Sequence, residues 1–152
     1  MPSPTERLRE LGIELPPVAT PAGAYIPARR SGSLVFTAGQ LPLVGGSLAV
    51  TGKVGAEVDV DAAHDLARTC ALNGLAAIDA LVGLDAVTGV VKVVGFVASA
   101  PGFTGQPKVI NGASDLLGEV FGEAGLHARS AVGVAELPLD APVEVELVVE
   151  VS

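Results

Sequence analysis

The nine residues from Val143 to Val151 constrain the fold most, because hydrophobic and acidic side chains alternate along them. In a β-strand, side chains at every second position lie on the same face of the sheet. The odd-numbered positions are all hydrophobic: Val143, Val145, Leu147, Val149 and Val151. The even-numbered positions are Glu144, Glu146, Val148 and Glu150. We therefore expect helices to cover one face of this strand, and water or a neighbouring subunit to meet the other.

Hydrophobic residues at three- and four-residue steps predict two helices that could cover the first face. One begins near Asp61, a candidate N-cap, and ends near Gly83. The other spans about Val109 to Phe121. A shorter helix is expected at the N-terminus, from Thr5 to Leu11, ahead of a segment rich in proline and glycine.

Apolar or alternating runs bounded by turn residues predict the strands. They are Tyr25 to Arg30, Leu34 to Gln40, about Leu48 to Val54, Val87 to Ser99, Ser130 to Glu136 and Val143 to Val151. The order from the first strand onward is β-β-β-α-β-α-β-β, an α+β fold with helices on one face of a mixed sheet. Residues 1–24 are expected to form an N-terminal arm, and residues 25–152 the main domain.

The composition favours a chain that assembles with copies of itself. Hydrophobic residues make up 49% of the chain and charged residues only 17%, which is leaner in surface charge than an ordinary globular monomer. A sheet face that one chain cannot cover points the same way. We expect some of the apolar surplus to lie between subunits.

Charge and residue counts argue against several classes of function. A net charge of −8 would repel the phosphates of nucleic acid. The single cysteine, Cys70, allows no internal disulfide, and His64 and His127 do not form a metal-binding cluster. No apolar run is long enough to cross a bilayer, and the N-terminus lacks the features of a secretory signal. A cytoplasmic protein without nucleic-acid or membrane partners is therefore expected.

Three segments, in this order and at this spacing, carry a family resemblance. They are Leu34 to Pro42 (LVFTAGQLP), Val109 to Asn111 (VIN), and Ala128 to Pro138 (ARSAVGVAELP) leading into Val143 to Glu146 (VEVE). From about Tyr25 onward the chain resembles the reactive intermediate deaminases, also known as YjgF-like or L-PSP endoribonuclease-like proteins. The resemblance implies a chorismate-mutase-like fold and a homotrimer with a cleft between neighbouring subunits. It also implies cofactor-free hydrolysis of small 2-imino or 2-enamino acids to 2-keto acids and ammonia.

The resemblance assigns roles to two charged residues. Arg129 matches the arginine that grips the substrate carboxylate, and Glu144 matches the acid that handles the attacking water. A guanidinium suits the first role because it can donate two parallel hydrogen bonds and keeps its charge. Without the motif, Arg129 would more often be a surface residue or an intersubunit ion pair, and Glu144 could be one of three acids on a solvated strand face.

Four further positions match residues that contact the ligand in the family. They are Tyr25, Asn111 on the second long helix, Gly39 through its backbone, and Ala131 through its main-chain carbonyl. Tyr25 could instead complete a packing contact, and Asn111 could be a helix cap.

The chain departs from the family pattern at two of its positions. Ala38 replaces a common serine, and Ala131 replaces a common cysteine. The lost hydroxyl leaves a second hypothesis open, a trimeric protein that binds a metabolite carboxylate without catalysis. The acidic charge makes a third, an endoribonuclease, less favoured.

Three remaining side chains are assigned mainly structural or solvent positions. Cys70 lies on the apolar stripe of the first long helix and is expected to be buried, and His64 is expected to be solvated. His127 comes two residues before Arg129 and could approach the cleft, although we favour a structural role.

Overall fold

The computed structural model describes residues 2–21 and 23–152. Within them the helices are α1 (Pro4–Glu10), α2 (Val60–Val82) and α3 (Gln106–Phe121). The strands are β1 (Ala28–Ser31), β2 (Leu34–Thr37), β3 (Val87–Ala98), β4 (Ala128–Val134) and β5 (Val143–Val151). Short 3-10 turns occupy Leu84–Ala86, Gly122–Gly125 and Pro138–Asp140.

The strands form one mixed sheet in the order β1-β2-β5-β3-β4. Every neighbouring pair is antiparallel except β3 and β4, which run parallel and are connected through α3. The α+β class and the placement of both long helices on one side of a mixed sheet are confirmed. None of the helices in the described residues is long and apolar enough to span a membrane.

The predicted third strand, Leu48 to Val54, is wrong. This stretch is a loop in which Val54 alone makes isolated bridges, to Val58 and Ser99. The physical reason is that β2 pairs directly with β5, so the sheet offers no free ladder between them. Gly52 and Gly55 also take positive φ angles of 113° and 93°, which turn the chain away from an extended path. After α1, the observed order is therefore β-β-α-β-α-β-β.

Two helix starts differ from those predicted. The N-cap of α2 is Asp59 rather than Asp61, and its carboxylate accepts a hydrogen bond from the Ala62 amide at 2.8 Å. The end at Gly83 is confirmed, with a φ of 80°. Helix α3 begins at Gln106, ahead of the predicted Val109, because Pro107 lies in the first turn, where a missing amide hydrogen costs nothing.

The sheet has one face that its own chain covers and one that it does not. On the first, here called the helix face, α2 packs over β5, and α3 packs over β3 and β4. The odd-numbered residues of β5 are at most 3% exposed on this face: Val143, Val145, Leu147, Val149 and Val151. The even-numbered residues define the open face; Glu144, Glu146 and Val148 are half-buried there and Glu150 is exposed. The predicted burial of the odd-numbered face is confirmed.

Helix α1 packs on the main domain rather than extending away from it. A capping box between Ser3 and Glu6 opens the helix, and Leu8 is buried in the core. The Arg7 Nε group donates a hydrogen bond of 2.8 Å to the Glu119 carbonyl of α3. The boundary between arm and domain at residue 24 stays a prediction.

Candidate functional site

Arg129 lies on β4, an edge strand, and its guanidinium reaches across to α3. Its Nη1 atom donates hydrogen bonds to Asn111 Oδ1 at 2.7 Å and to Ser114 Oγ at 3.2 Å. Asn111 and Ser114 lie three residues apart in α3, so both point from the same side of the helix. Asn111 is inside α3, because this helix begins at Gln106, and it contacts Arg129. Its alternative role as a helix cap is therefore wrong.

The two Nη1 bonds leave one edge of the guanidinium unused. No residue of the described chain makes a hydrogen bond or ion pair with Nε or Nη2 of Arg129. These two nitrogens form the donor pair that a carboxylate can bind in a bidentate manner. The side chain is half-buried, and a half-buried cation with a free donor edge is suited to binding an anion.

Arg129 lines a surface groove of about 610 Å³ between α3 and the start of β4, here called the arginine groove. Its other lining residues are Ser114, Asp115, Gly118, Glu119, Gly125, Leu126 and His127. The groove's two carboxylates both have partners on α2. Glu119 pairs with Arg68 at 3.2 Å, and Asp115 lies 3.8 Å from His64. The carboxylates are therefore engaged away from the arginine.

His127 also lies in the arginine groove, joined to Arg129 through Ser114. Its Nε2 atom is 2.9 Å from Ser114 Oγ, and its Nδ1 atom is 2.6 Å from the Gly125 carbonyl. The structural role favoured for His127 is incomplete, because the histidine belongs to the hydrogen-bond network of the arginine. Ser114 was not among the residues predicted from the sequence. Its spacing of three residues from Asn111 was the available signal.

Glu144 lies on the open face near the start of β5. It is half-buried, and burial raises the pKa of its carboxyl, with a smaller contribution from the nearby charge of Glu146. A raised pKa brings a carboxyl group closer to the range in which it can exchange protons near neutrality.

Gly39 lies directly against the Glu144 carboxylate. A Cβ atom at this glycine would come within 2.5 Å of Glu144 Oε1. Paired backbone bonds between Gln40 and Val145, of 2.8 and 3.0 Å, hold the segment in place. Gly39 and Glu144 are therefore neighbours within one chain.

Tyr25 lies at the same end of the sheet as Gly39. It precedes β1, and the start of β1 pairs with the end of β2, where Ala28 is opposite Thr37. Its side chain is 52% exposed. Ala131 lies on β4, at the opposite edge of the sheet from β1, where it is beside Gly95 and packs against the core.

The predicted site residues therefore form two separate groups in a single chain. Val93 pairs with both Arg129 and Leu147, which places Arg129 on the helix face. Glu144 has the opposite parity on β5 and lies on the open face. Arg129, Asn111 and Ala131 form one group, and Glu144 and Gly39, with Tyr25 at the same sheet end, form the other.

Comparison with known proteins decides the family. Residues 5–151 match the family model described as "YjgF/chorismate mutase-like, putative endoribonuclease". The chain belongs to this family. The resemblance inferred from the sequence is thereby confirmed, and so is the chorismate-mutase-like fold.

Relatives within the YjgF family span nearly the whole chain. Protein TCP17 of Trypanosoma cruzi is 48% identical over 149 residues, covering 95% of this chain and 92% of TCP17. The crystal structure of a "putative endoribonuclease" from Shewanella oneidensis is 34% identical with a TM-score of 0.94, covering 99% of this chain and 100% of that one. The structure of Escherichia coli TdcF with bound serine is 28% identical with a TM-score of 0.63, covering 91% of this chain and 94% of that one.

Proposed function

We propose that the chain forms a homotrimer whose intersubunit clefts hydrolyse small 2-imino or 2-enamino acids to 2-keto acids and ammonia, without a cofactor. The observation that carries the proposal is the unused donor edge of Arg129, held at a groove by Asn111 and Ser114. A carboxylate bound there would place its α-carbon at the mouth of the arginine groove. The serine bound by the relative TdcF is also a small α-amino carboxylate.

The position of Glu144 supports a site shared between subunits. Arg129 and Glu144 lie on opposite faces of the sheet, on strands separated by β3. A single chain cannot direct both groups at one small substrate. The arginine groove of one subunit can meet the Glu144 of a neighbour, provided that the open face is the surface through which the subunits associate.

The open face has the composition of a subunit interface. Phe36 and Val132 point out from it with 43% and 44% of their surface exposed, and Phe96 and Val148 are half-buried beside them. Apolar side chains of this size rarely gather on a surface that stays in water. We propose that two further copies of the chain cover the open face, because only copies bring the Glu144 carboxylate to the groove.

The proposed reaction needs one carboxylate and one water molecule. Arg129 holds the substrate carboxylate. Glu144 takes a proton from the water molecule while the water oxygen forms a bond to C2. The π electrons of the C=N bond move to nitrogen, which receives the proton. In the resulting carbinolamine, Glu144 carries the hydroxyl proton to the nitrogen, the O–H electron pair forms the C=O bond, the C–N bond breaks and ammonia leaves, so that C2 becomes the carbonyl carbon of the 2-keto acid. A 2-enamino acid enters the same sequence once C3 has gained a proton and the nitrogen has lost one. The raised pKa of Glu144 suits a group that must accept a proton and then return it.

A coupled assay tests the reaction. An amino-acid oxidase or a threonine dehydratase generates imines in solution, and addition of the protein should speed the appearance of the keto acid. The absence of a serine hydroxyl at Ala38 favours a second candidate, a trimer that binds metabolite carboxylates without catalysis. Saturable binding of 2-oxobutyrate without any acceleration over buffer would support that candidate.

Complementation tests the shared site. Arg129→Ala and Glu144→Ala are each expected to be inactive, and mixed trimers should recover up to about a quarter of wild-type activity, because random assembly restores one intact cleft in four. Mixtures that stay inactive after subunit exchange, confirmed by mass spectrometry, would exclude the intersubunit model. The third candidate, ribonuclease activity, predicts cleavage of single-stranded RNA that disappears in Arg129→Ala. We expect no cleavage at a net charge of −8.

A further inference from the structure

We propose that Ser114 and His127 are positioning residues that fix the guanidinium of Arg129 for carboxylate binding. This inference rests on the proposed function, since it concerns how the same groove recognises its ligand. It adds two residues to the site and gives each of them a defined role in the hydrogen-bond network.

The donors and acceptors of the network can be assigned from its fixed end. The Gly125 carbonyl can only accept, so Nδ1 of His127 carries the hydrogen in their 2.6 Å contact. In the neutral ring Nε2 must then accept, and the Ser114 hydroxyl donates to it at 2.9 Å. Because its hydrogen is committed, Ser114 Oγ turns a lone pair to Arg129 Nη1 at 3.2 Å. Each hydrogen in this network thus has one acceptor.

The fixed end is held by close packing. A Cβ atom at Gly125 would overlap the Leu117 carbonyl, so the 3-10 turn lies directly on α3. The Gly125 carbonyl, and through it the imidazole, is therefore located by backbone packing rather than by a mobile loop. Ser114 is part of α3 as well, so both ends of the network are anchored on the same helix.

The hydrogen bonds to Asn111 and Ser114 fix the orientation of the Arg129 guanidinium. With Asn111 and Ser114 both bound, the two hydrogens of Nη1 are used and the guanidinium cannot rotate without breaking a bond. The Nε and Nη2 donors of this groove-lining side chain are then held in one orientation before a ligand arrives. Losing Ser114 leaves a single tether, so the ligand must order the guanidinium itself.

Affinity for 2-oxobutyrate, measured by calorimetry, tests the coupling. We expect Ser114→Ala and His127→Gln each to raise Kd about three- to tenfold, as expected for loss of one ordinary hydrogen bond. Ser114→Thr should restore most of the affinity because it keeps the hydroxyl. The matched control is Thr69→Ala on α2, which removes a hydroxyl that donates to the Asp65 carbonyl at 3.3 Å, outside the lining of the groove, and should leave Kd unchanged.

A double-mutant cycle separates positioning from general weakening. In an Arg129→Lys background, Ser114→Ala should change Kd less than twofold, because the lysine has no Nη1 to hold. Equal effects of Ser114→Ala in both backgrounds, or a wild-type Kd for Ser114→Ala and His127→Gln, would overturn the inference. If instead Arg129→Lys alone leaves Kd unchanged, the proposed function fails at its central residue.

A measurement without ligand keeps the inference testable on its own. In nitrogen-15 NMR spectra, a tethered Arg129 should show separate Nη1 and Nη2 signals, and Ser114→Ala should merge them through faster rotation. A single averaged signal in the wild-type protein would overturn the inference whatever the ligand proves to be.

Discussion

The two faces of the sheet differ in how completely one chain finishes them. On the helix face, which α2 and α3 cover, every odd-numbered residue of β5 is buried, and glycines allow backbone to approach backbone. On the open face, Phe36 and Val132 remain exposed and Glu144 is only half-buried. The first face accounts for the folding of the chain. The second carries the acid that the proposed chemistry needs, and this acid can reach Arg129 only through another subunit.

The largest effect is expected from a charge placed on the open face. Val132→Glu should leave the chain folded, because this side chain is 44% exposed and lies outside the core. In a trimer it would bury an unpaired charge, at a cost of several kcal/mol per interface. We expect the solution mass to fall from about three times 15.1 kDa to that of one chain, measured by light scattering.

The control for Val132→Glu is Leu81→Glu. Leu81 is equally exposed, at 44%, but lies at the end of α2 on the helix side of the molecule. The Leu81→Glu variant should remain trimeric. A Val132→Glu protein that stays trimeric would show that the open face is not the interface.

The helix face should respond in the opposite way, by losing stability. A Cβ atom at Gly112 of α3 would overlap the His64 carbonyl of α2, and no flexible side chain can move aside. Gly112→Ala should therefore destabilise the fold by about 3 kcal/mol or more. For a chain of this size this lowers Tm by about 6 to 12 °C, measured by calorimetry.

Gly118→Ala provides the matched control in the same helix. A Cβ atom at Gly118 meets nothing within 4 Å, and alanine is the better helix former. Its Tm should be unchanged or raised, because the substitution should add up to about 1 kcal/mol to the free energy of unfolding. Equal losses in the two variants would mean that helix propensity, rather than the close crossing of α2 and α3, determines the result.

The next effect concerns the arginine groove, where the helix face of one subunit would meet the open face of its neighbour in the proposed trimer. Arg129→Lys keeps the charge but loses the planar donor pair. Loss of one charge-assisted hydrogen bond costs about 1.5 to 3 kcal/mol, so 2-keto acid binding or imine hydrolysis should fall at least about tenfold. Tm and the trimer mass should not change. A variant that dissociates into single chains would identify Arg129 as an interface ion pair instead.

The helix face could be predicted from sequence because its signals are local. The alternation along β5 and the helical spacing after Asp59 are each contained in one segment, and so is the stop at Gly83. The predicted strand at Leu48 to Val54 failed because strand pairing is not local. Whether a short apolar run becomes a strand depends on whether the sheet has a free edge at that point, and β5 occupies the place beside β2.

The site was predictable only as a set of residues. The family motifs identified Arg129 and Glu144, but their opposite faces follow from the register of β3 with β4 and β5, which no single segment encodes. Ser114 escaped notice because its role depends on a turn eleven residues further along the chain packing back onto α3. Tertiary contacts thus determine the positions of the residues closest to the proposed chemistry.

The smallest expected effect is a pH dependence of stability that originates on the open face. Burial raises the pKa of Glu144 above its ordinary value of 4.5, so between 4.5 and the raised value the folded state binds a proton that the unfolded state has released. Stability from this group is complete below pH 4.5 and is lost as pH rises through the folded pKa. The Glu144→Gln variant has no ionisable group at this position and should not lose this stability as pH rises. The Tm of the variant minus that of the wild type should therefore be near its minimum at pH 4, rise toward neutrality and then level off, while imine hydrolysis is lost. A difference that shrinks as pH rises would mean that Glu144 is stabilised as a carboxylate, and its proposed role in proton transfer would have to be abandoned.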